Sequence, residues 1–328
     1  MEKEDRIAVL GQTGMIVSAM ARRLKEEEYH NVILRTPADS ELTDPSAVFS
    51  FFITEKPDYV FLTSVSMGGI FANKTYPAEL IYQNIQAQTN VIHTAWKVGV
   101  KKLLYLGSSC SYPRESPQPM KEEYLLSGRL EPTSESYAVA KIAGIKMCQA
   151  YQRQYHANFI TAIPSDLYGP EDDFDHETSH VLPALLRRMH QAKVSRQREV
   201  VVWGSGAPRR EFLYVDDLAD ACIFLMNNYD QAEPLNIGSG EDISIGELAQ
   251  LVKEMVGFRG EIVFDRTKPD GALRKYLDTA KIRGMGWQPR TGLREGLWLT
   301  YQWYLQHCVS PGAGAAGKPE RAADSRQA

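Results

Sequence analysis

Little in this chain points to a membrane, a disulfide scaffold or a nucleic-acid partner. No stretch approaches the roughly 20 consecutive apolar residues that span a bilayer. The 37 Lys and Arg against 41 Asp and Glu leave a formal net charge of −4. A nucleic-acid partner would call for a basic excess instead, so any substrate phosphate must be met by a few local arginines. Four cysteines, Cys110, Cys148, Cys222 and Cys308, are scattered and form no CxxC pair. That spacing argues against a disulfide framework or a zinc site, and no metal is expected. The N-terminal MEKEDRIAVLG lacks the apolar core of a secretory signal and runs straight into a strand pattern. A reducing, cytoplasmic setting is the expectation, and no internal repeat is visible.

What is present is an ordinary globular balance, 43% apolar and 24% charged over 328 residues, enough for a sizeable core. Through the first half, short apolar runs alternate with helical patterns. Strands are expected at Ile7–Leu10, Val32–Leu34, Tyr59–Thr63, Lys102–Leu106 and Phe159–Ile163, with helices near Ser18–Glu27, Asn84–Lys97 and Tyr137–Tyr155. Such βαβ alternation predicts an α/β fold, a Rossmann-type doubly wound parallel sheet. From about Gly169 the character changes. An acidic loop precedes a helix at Leu182–Ala192, short strands at Val200–Val202 and Phe212–Val215 flank a Gly-Ser-Gly turn, and helices follow at Asp217–Asn227 and Ile245–Val256. We therefore expect a nucleotide-binding domain over 1–169 to which later segments return, a smaller and mainly substrate-binding region over 170–309, and a disordered tail over 310–328.

The first strand runs into Gly11-Gln12-Thr13-Gly14 and then a helix. Glycines there permit a tight turn and the close approach of a pyrophosphate to the N–H groups of the helix start, Met15, Ile16 and Val17. The GxxG spacing is shorter than the GxGxxG fingerprint, and any strand-to-helix turn favours glycine. A β-branched Val17, where a third glycine would pack helix on sheet, is expected to push the helix slightly outward. The second strand ends at Arg35, and a basic residue there can meet the 2′-phosphate of NADP.

Tyr137 and Lys141 stand four apart in YAVAK, on one face of a helix. An ammonium beside a phenol favours the phenolate, which suits Tyr137 to general acid–base work. Ser108 and Ser109, at the end of the preceding strand, could hydrogen-bond a substrate carbonyl. Cys110 follows directly, and His180 opens the helix SHVLPALLRR. Either could equally be a buried thiol or a helix-capping histidine.

Taken with LLYLGSSCSYP, MGGIFANKTYPAELIYQN, EPTSESYAVAKIAGIK, VVWGSGAPRREFLYVDD and KPDGALRK, these residues resemble the extended short-chain dehydrogenase/reductase family over roughly residues 6–305. Within that family the resemblance is to epimerase/reductases of GDP-linked 4-keto-6-deoxy sugars. It implies conversion of GDP-4-keto-6-deoxy-D-mannose to GDP-L-fucose by C3/C5 epimerisation and NADPH-dependent C4 reduction, in a homodimer. Ser108, Tyr137 and Lys141 would form the reductase triad, and Cys110 and His180 the epimerisation pair. NADP(H) would meet the Gly11–Val17 turn, Arg35, Leu106, Gly107, Ser108, Ser109, Lys141, Pro164, Ser165, Asp166, Leu167 and His180. The nucleotide sugar would be held by Arg188, Trp203, Arg210, Asp270 and Lys275. The chain departs from the family pattern at Val17, Pro37, Ser66 and Asp166, the last standing where the family has asparagine. Two other readings stay open: a related GDP-keto-sugar enzyme, either a GDP-colitose-type synthase or a reductase without epimerase activity, and a non-catalytic nucleotide-binding regulator.

Arg35 generates the first expected outcome. Measured with both cofactors, kcat/KM for NADPH should exceed that for NADH. Equal values would show that Arg35 does not read a 2′-phosphate.

Overall fold

A computed structural model describes residues 1–34, 39–63, 66, 69–176, 178–268 and 270–309. Arg35 and the tail over 310–328 lie outside the described residues, as does Pro37. Six parallel strands form the main sheet: β1 (Ile7–Leu10), β2 (Val32–Ile33), β3 (Tyr59–Leu62), β4 (Lys102–Leu106), β5 (Phe159–Pro164) and a late strand, β9 (Leu235–Ile237). Their order is β2-β1-β3-β4-β5-β9. The chain steps outward from β1 to β2, then crosses to β3 on the other side, so the carboxyl ends of β1 and β3 frame the crevice where doubly wound sheets bind ligands. The expected parallel sheet is present.

Helices cover both faces. On one lie α1 (Met15–Glu26) and α8 (Val215–Asn228). On the other lie α3 (Pro45–Glu55), after the short α2 (Asp39–Thr43), and the long α5 (Pro77–Val98) and α6 (Glu135–Tyr155), with α4 (Ile70–Thr75) leading into α5. The Val17 side chain is 5% exposed and joins the buried cluster with Ile16, Met20, Leu218 and Cys222. The segment Pro77–Gln83, ahead of the expected helix start, extends α5 by two turns. Its proline sits in the first turn, where the missing N–H costs nothing, and Gly99 ends the helix in a left-handed conformation.

Around the Gly-Ser-Gly turn the chain builds a second layer. There β6 (Asp166–Tyr168) and β12 (Arg274–Lys275) run parallel to β8 (Arg209–Tyr214), and β10 (Asp242–Ser244) runs antiparallel to it. A separate pair joins β7 (Glu199–Trp203) to β11 (Glu261–Asp265). These strands pack with α7 (Val181–Val194), α9 (Ile245–Val256) and α11 (Leu293–Tyr304) in a third apolar cluster. A short α10 (Ala280–Gly284) precedes α11. Helix α9 starts on a capping box, Ser244 with Glu247, and ends at left-handed Gly257.

Most of the site geometry depends on how closely α6 approaches β4. A Cβ added at Gly144 would lie 2.3 Å from the Tyr105 ring. That ring cannot swing away freely, because Tyr105 donates a 2.6 Å hydrogen bond to Gln88, which in turn donates to the Ala140 carbonyl of α6. Gly144→Ala is therefore expected to destabilise the fold by about 1–3 kcal/mol, the usual cost of overpacking, despite the better helix propensity of alanine. A urea midpoint equal to that of the unaltered protein would contradict this.

Candidate active site

At the carboxyl end of β4 the chain leaves the sheet through Gly107 and turns into a short 3₁₀ segment, Ser109–Ser111. Ser108 caps it, its Oγ accepting from the Cys110 N–H at 3.2 Å. The hydroxyl expected to face a carbonyl and the thiol expected to move protons are thus held by one turn. Lys141 reaches the same strand end from α6. Its Nζ donates to the Leu106 carbonyl at 2.7 Å, and it lies 4.8 Å from the centroid of the Tyr105 ring and 5.9 Å from that of Tyr137. Only 1% of Lys141 is exposed. Burial pushes its pKa down to about 7. The ammonium expected from the sequence is therefore only partly formed at neutral pH, because desolvation disfavours the charged state.

The second layer brings distant residues to Cys110. Lys275 of β12 places Nζ 3.4 Å from Cys110 Sγ. Burial pulls the Lys275 pKa down, but Cys110 and Asp166 outweigh it and the net shift is upward. On β6, Asp166 faces the Arg210 guanidinium at 3.9 Å. His180 occupies the N-cap position of α7 but makes no capping bond with its side chain. By its surface area it is exposed to solvent. The lost solvation lowers its pKa, Lys275 acts in the same direction, and Asp166 and Asp173 oppose. Glu211 of β8 was not singled out by sequence reasoning. In the fold it is 2% exposed and accepts from the N–H groups of Gly240 and Leu277, and burial pushes its carboxyl up to about 7. With Ser109, Ser165, Asp166 and Lys275 it lines a recess beside the β4 turn.

Farther out, Trp203 at the end of β7 is 57% exposed. The Arg188 guanidinium lies 5.9 Å from the Trp203 ring centroid and donates to the Val201 carbonyl. Asp270 is committed to the turn: its carboxylate takes the Ser205 N–H at 2.6 Å and the Ser205 hydroxyl at 2.8 Å. The glycines flanking Ser205 both have positive φ, +86° and +77°, so Asp270 fixes a turn that most residues could not adopt.

On the cofactor side, Gly14 ends the glycine turn at φ +131° and heads α1 with no side-chain cap and no acidic residue in the first turn. The N–H groups of Met15, Ile16 and Val17 form the donor set that a pyrophosphate needs. Leu106 and Gly107 border the turn at β4, and Pro164, Ser165 and Leu167 continue from β5 into β6. Ser165 Oγ is buried without a hydrogen-bond partner among the described residues.

Residues 7–246 match the model of the NAD dependent epimerase/dehydratase family. The chain belongs to that family. A putative GDP-L-fucose synthase 2 of Arabidopsis thaliana is 56% identical over 309 residues, covering 94% of each chain. Among solved structures, a GDP-6-OMe-4-keto-L-xylo-heptose reductase from C. jejuni superposes at TM-score 0.89 with 38% identity, over 93% of this chain and 99% of that one. A GDP-L-fucose synthetase from Naegleria fowleri bound to NADP superposes at 0.86 with 29% identity, over 94% and 96%. In this member of the family, no helix among the described residues is long and apolar enough to cross a membrane.

The buried lysine has a measurable consequence. In the unfolded chain Lys141 titrates near the ordinary lysine value of 10.5; in the fold, at about 7. Below both values the two states carry the proton alike and the fold bears the full cost of the buried charge. Between them the unfolded chain binds more protons, so stability rises with pH. Lys141→Met should therefore be more stable than the unaltered protein in urea unfolding at about pH 6, with a smaller gain at about pH 9. Equal gains at the two values would argue against a strongly depressed lysine.

Proposed function

We infer that this protein converts GDP-4-keto-6-deoxy-D-mannose to GDP-L-fucose by C3/C5 epimerisation followed by C4 reduction with NADPH. The observation that carries this reading is the placement of Ser108 and Cys110 on one turn, where the Cys110 backbone N–H donates to the Ser108 hydroxyl and holds hydroxyl and thiol side by side. The 56% identity to the Arabidopsis relative favours this over a reductase-only reading, since the heptose reductase stands at 38%. Neither argument favours a non-catalytic regulator.

In the proposed mechanism Arg188 and Arg210 pair with the diphosphate, and Trp203 offers its exposed face to the nucleoside or sugar. Lys275 stands beside Cys110, and Asp270 acts on the sugar nucleotide through the Ser205 turn that it fixes next to Trp203. Ser108 and Tyr137 hydrogen-bond the C4 oxygen. A 4-keto group makes the C3 and C5 protons acidic: one of Cys110 and His180 takes the proton, the electron pair moves onto the C4 oxygen, and the other group returns a proton on the opposite face. Thiol and imidazole are the side chains with titration ranges suited to this. NADPH, when bound along the Gly11–Val17 turn, supplies the hydride for C4. Tyr137 donates the proton to the new hydroxyl, and Lys141 holds the strand end against α6. Arg35 remains the proposed contact for the 2′-phosphate.

A cytoplasmic setting is part of the proposal, supported by four free cysteines. So is a homodimer. Tyr82 of α5 and Val139 and Tyr155 of α6 are exposed at 63%, 40% and 43%, and a second copy would cover them.

Two variants test the chemistry. Tyr137→Phe should lose reduction by about 100-fold or more, in the range of a lost general acid. Cys110→Ser should incorporate little solvent deuterium at C3 or C5 while still binding cofactor and substrate, and any slow product should be C4-reduced with its original C3 and C5 configuration. NMR of the product formed in deuterated water reads both. Unimpaired deuterium uptake in the Cys110 variant would remove the thiol from the mechanism.

A further inference from the structure

The chain between β6 and α7 touches the glycine turn near its start and the Gly69 backbone near its end. At its start, the Glu171 backbone carbonyl lies over the glycine turn, 3.7 Å from where a Gly14 Cβ would be. The Glu171 side chain reaches α1. Ser18 donates to its Oε2 at 2.6 Å, and Arg22 lies 3.5 Å from its Oε1 while also pairing with Asp216 of α8 at 2.6 Å. Glu171 itself takes φ +63°, a left-handed conformation that a non-glycine residue holds only when its surroundings enforce it. Next to it Asp172 is buried, at 9% exposure. Farther along, the Thr178 hydroxyl donates to Asp173 at 2.5 Å, and the Thr178 carbonyl accepts from the Gly69 N–H at 3.0 Å. A Cβ at Gly69 would stand 3.0 Å from the Ser179 carbonyl, so the loop rests directly on that backbone. Two residues after Thr178 comes His180.

We propose that Glu171 is a positioning residue: by latching this strap to α1 it retains the dinucleotide against the glycine turn and sets His180 in the cleft. The inference rests on reading the Gly11–Gly14 turn as the NADPH phosphate site. Glu171 touches neither reacting atoms nor the expected hydride donor. It acts through the strap, whose far end carries an epimerisation group and whose near end covers the cofactor turn. The latch side chains are about one-third exposed, so the effect of breaking it is moderate rather than large. A mere surface ion pair would leave cofactor release and the epimerisation-to-reduction ratio alone.

The test uses the full chain, NADPH and four forms: unaltered, Ser18→Ala, Glu171→Ala and Glu171→Gln. NADPH release is followed by stopped-flow fluorescence. Ser18→Ala and Glu171→Ala should both release NADPH faster by about fivefold, as expected for one lost hydrogen bond to a charged, partly exposed acceptor. Glu171→Gln keeps an amide oxygen for the Ser18 hydroxyl and should stay within about twofold of the unaltered rate. At saturating NADPH, Glu171→Ala should also incorporate less deuterium at C3 and C5 per C4 reduction. Release rates unchanged in both alanine variants overturn the latch while leaving the cofactor reading intact. Equal losses of exchange and reduction overturn the link to His180. An unaltered protein that binds no NADPH overturns the proposed function and the latch together.

Discussion

Lys141 runs buried from the middle of α6 to the Leu106 carbonyl at the last residue of β4. That 2.7 Å bond joins the helix carrying Tyr137 to the strand end carrying Ser108 and Cys110. Gly144, one turn farther on, lets α6 settle against Tyr105, whose ring the Lys141 side chain overlies. The lysine lies under the helix, largely stripped of water, so its charge is held at a cost. One close packing contact therefore fixes the geometry of the proposed triad and also sets the protonation of its lysine. A group tuned near neutrality by burial is common where a fold is built for proton transfer.

The second half of the chain supplies the groups that surround this strand end. Lys275 is 165 residues from Cys110 in sequence and 3.4 Å from it in space. It gets there because β12 pairs with β8 in register, Lys275 opposite Arg210, while β6 pairs with the far half of β8 and sets Asp166 opposite Phe212. One central strand thus gathers Arg210, Glu211, Asp166 and Lys275 at the mouth of the nucleotide-binding sheet. The main sheet itself closes with β9, contributed by the chain after this second layer has begun. The two halves are thereby interlocked through backbone pairing as well as side-chain contact. The strap ending at His180 adds a third link across the crevice.

Local pattern was enough for the elements with strong apolar patterning. The first, fourth and fifth strands are visible as apolar runs buried on both faces, and α9 begins where its Ser and Glu capping box predicts. Elements with weaker patterns were not visible. β9 is three residues long, α3 has apolar residues all round, and α5 begins at a proline that reads at first as a breaker.

The sequence by itself determined the parallel sheet, the glycine turn, the four-residue spacing of Tyr137 and Lys141, and the adjacency of Ser108 to Cys110. Each follows from a period or a spacing along the backbone, and short-range geometry transmits it directly. Only the tertiary structure decided that Lys141 is desolvated, that Lys275 meets Cys110, that Asp270 is committed to the Ser205 turn, that Glu211 is buried, and that Glu171 holds the strap to α1. Those outcomes depend on which residues share a wall of the cleft. Burial and charge proximity are properties of that shared space, and no local pattern along the chain encodes them.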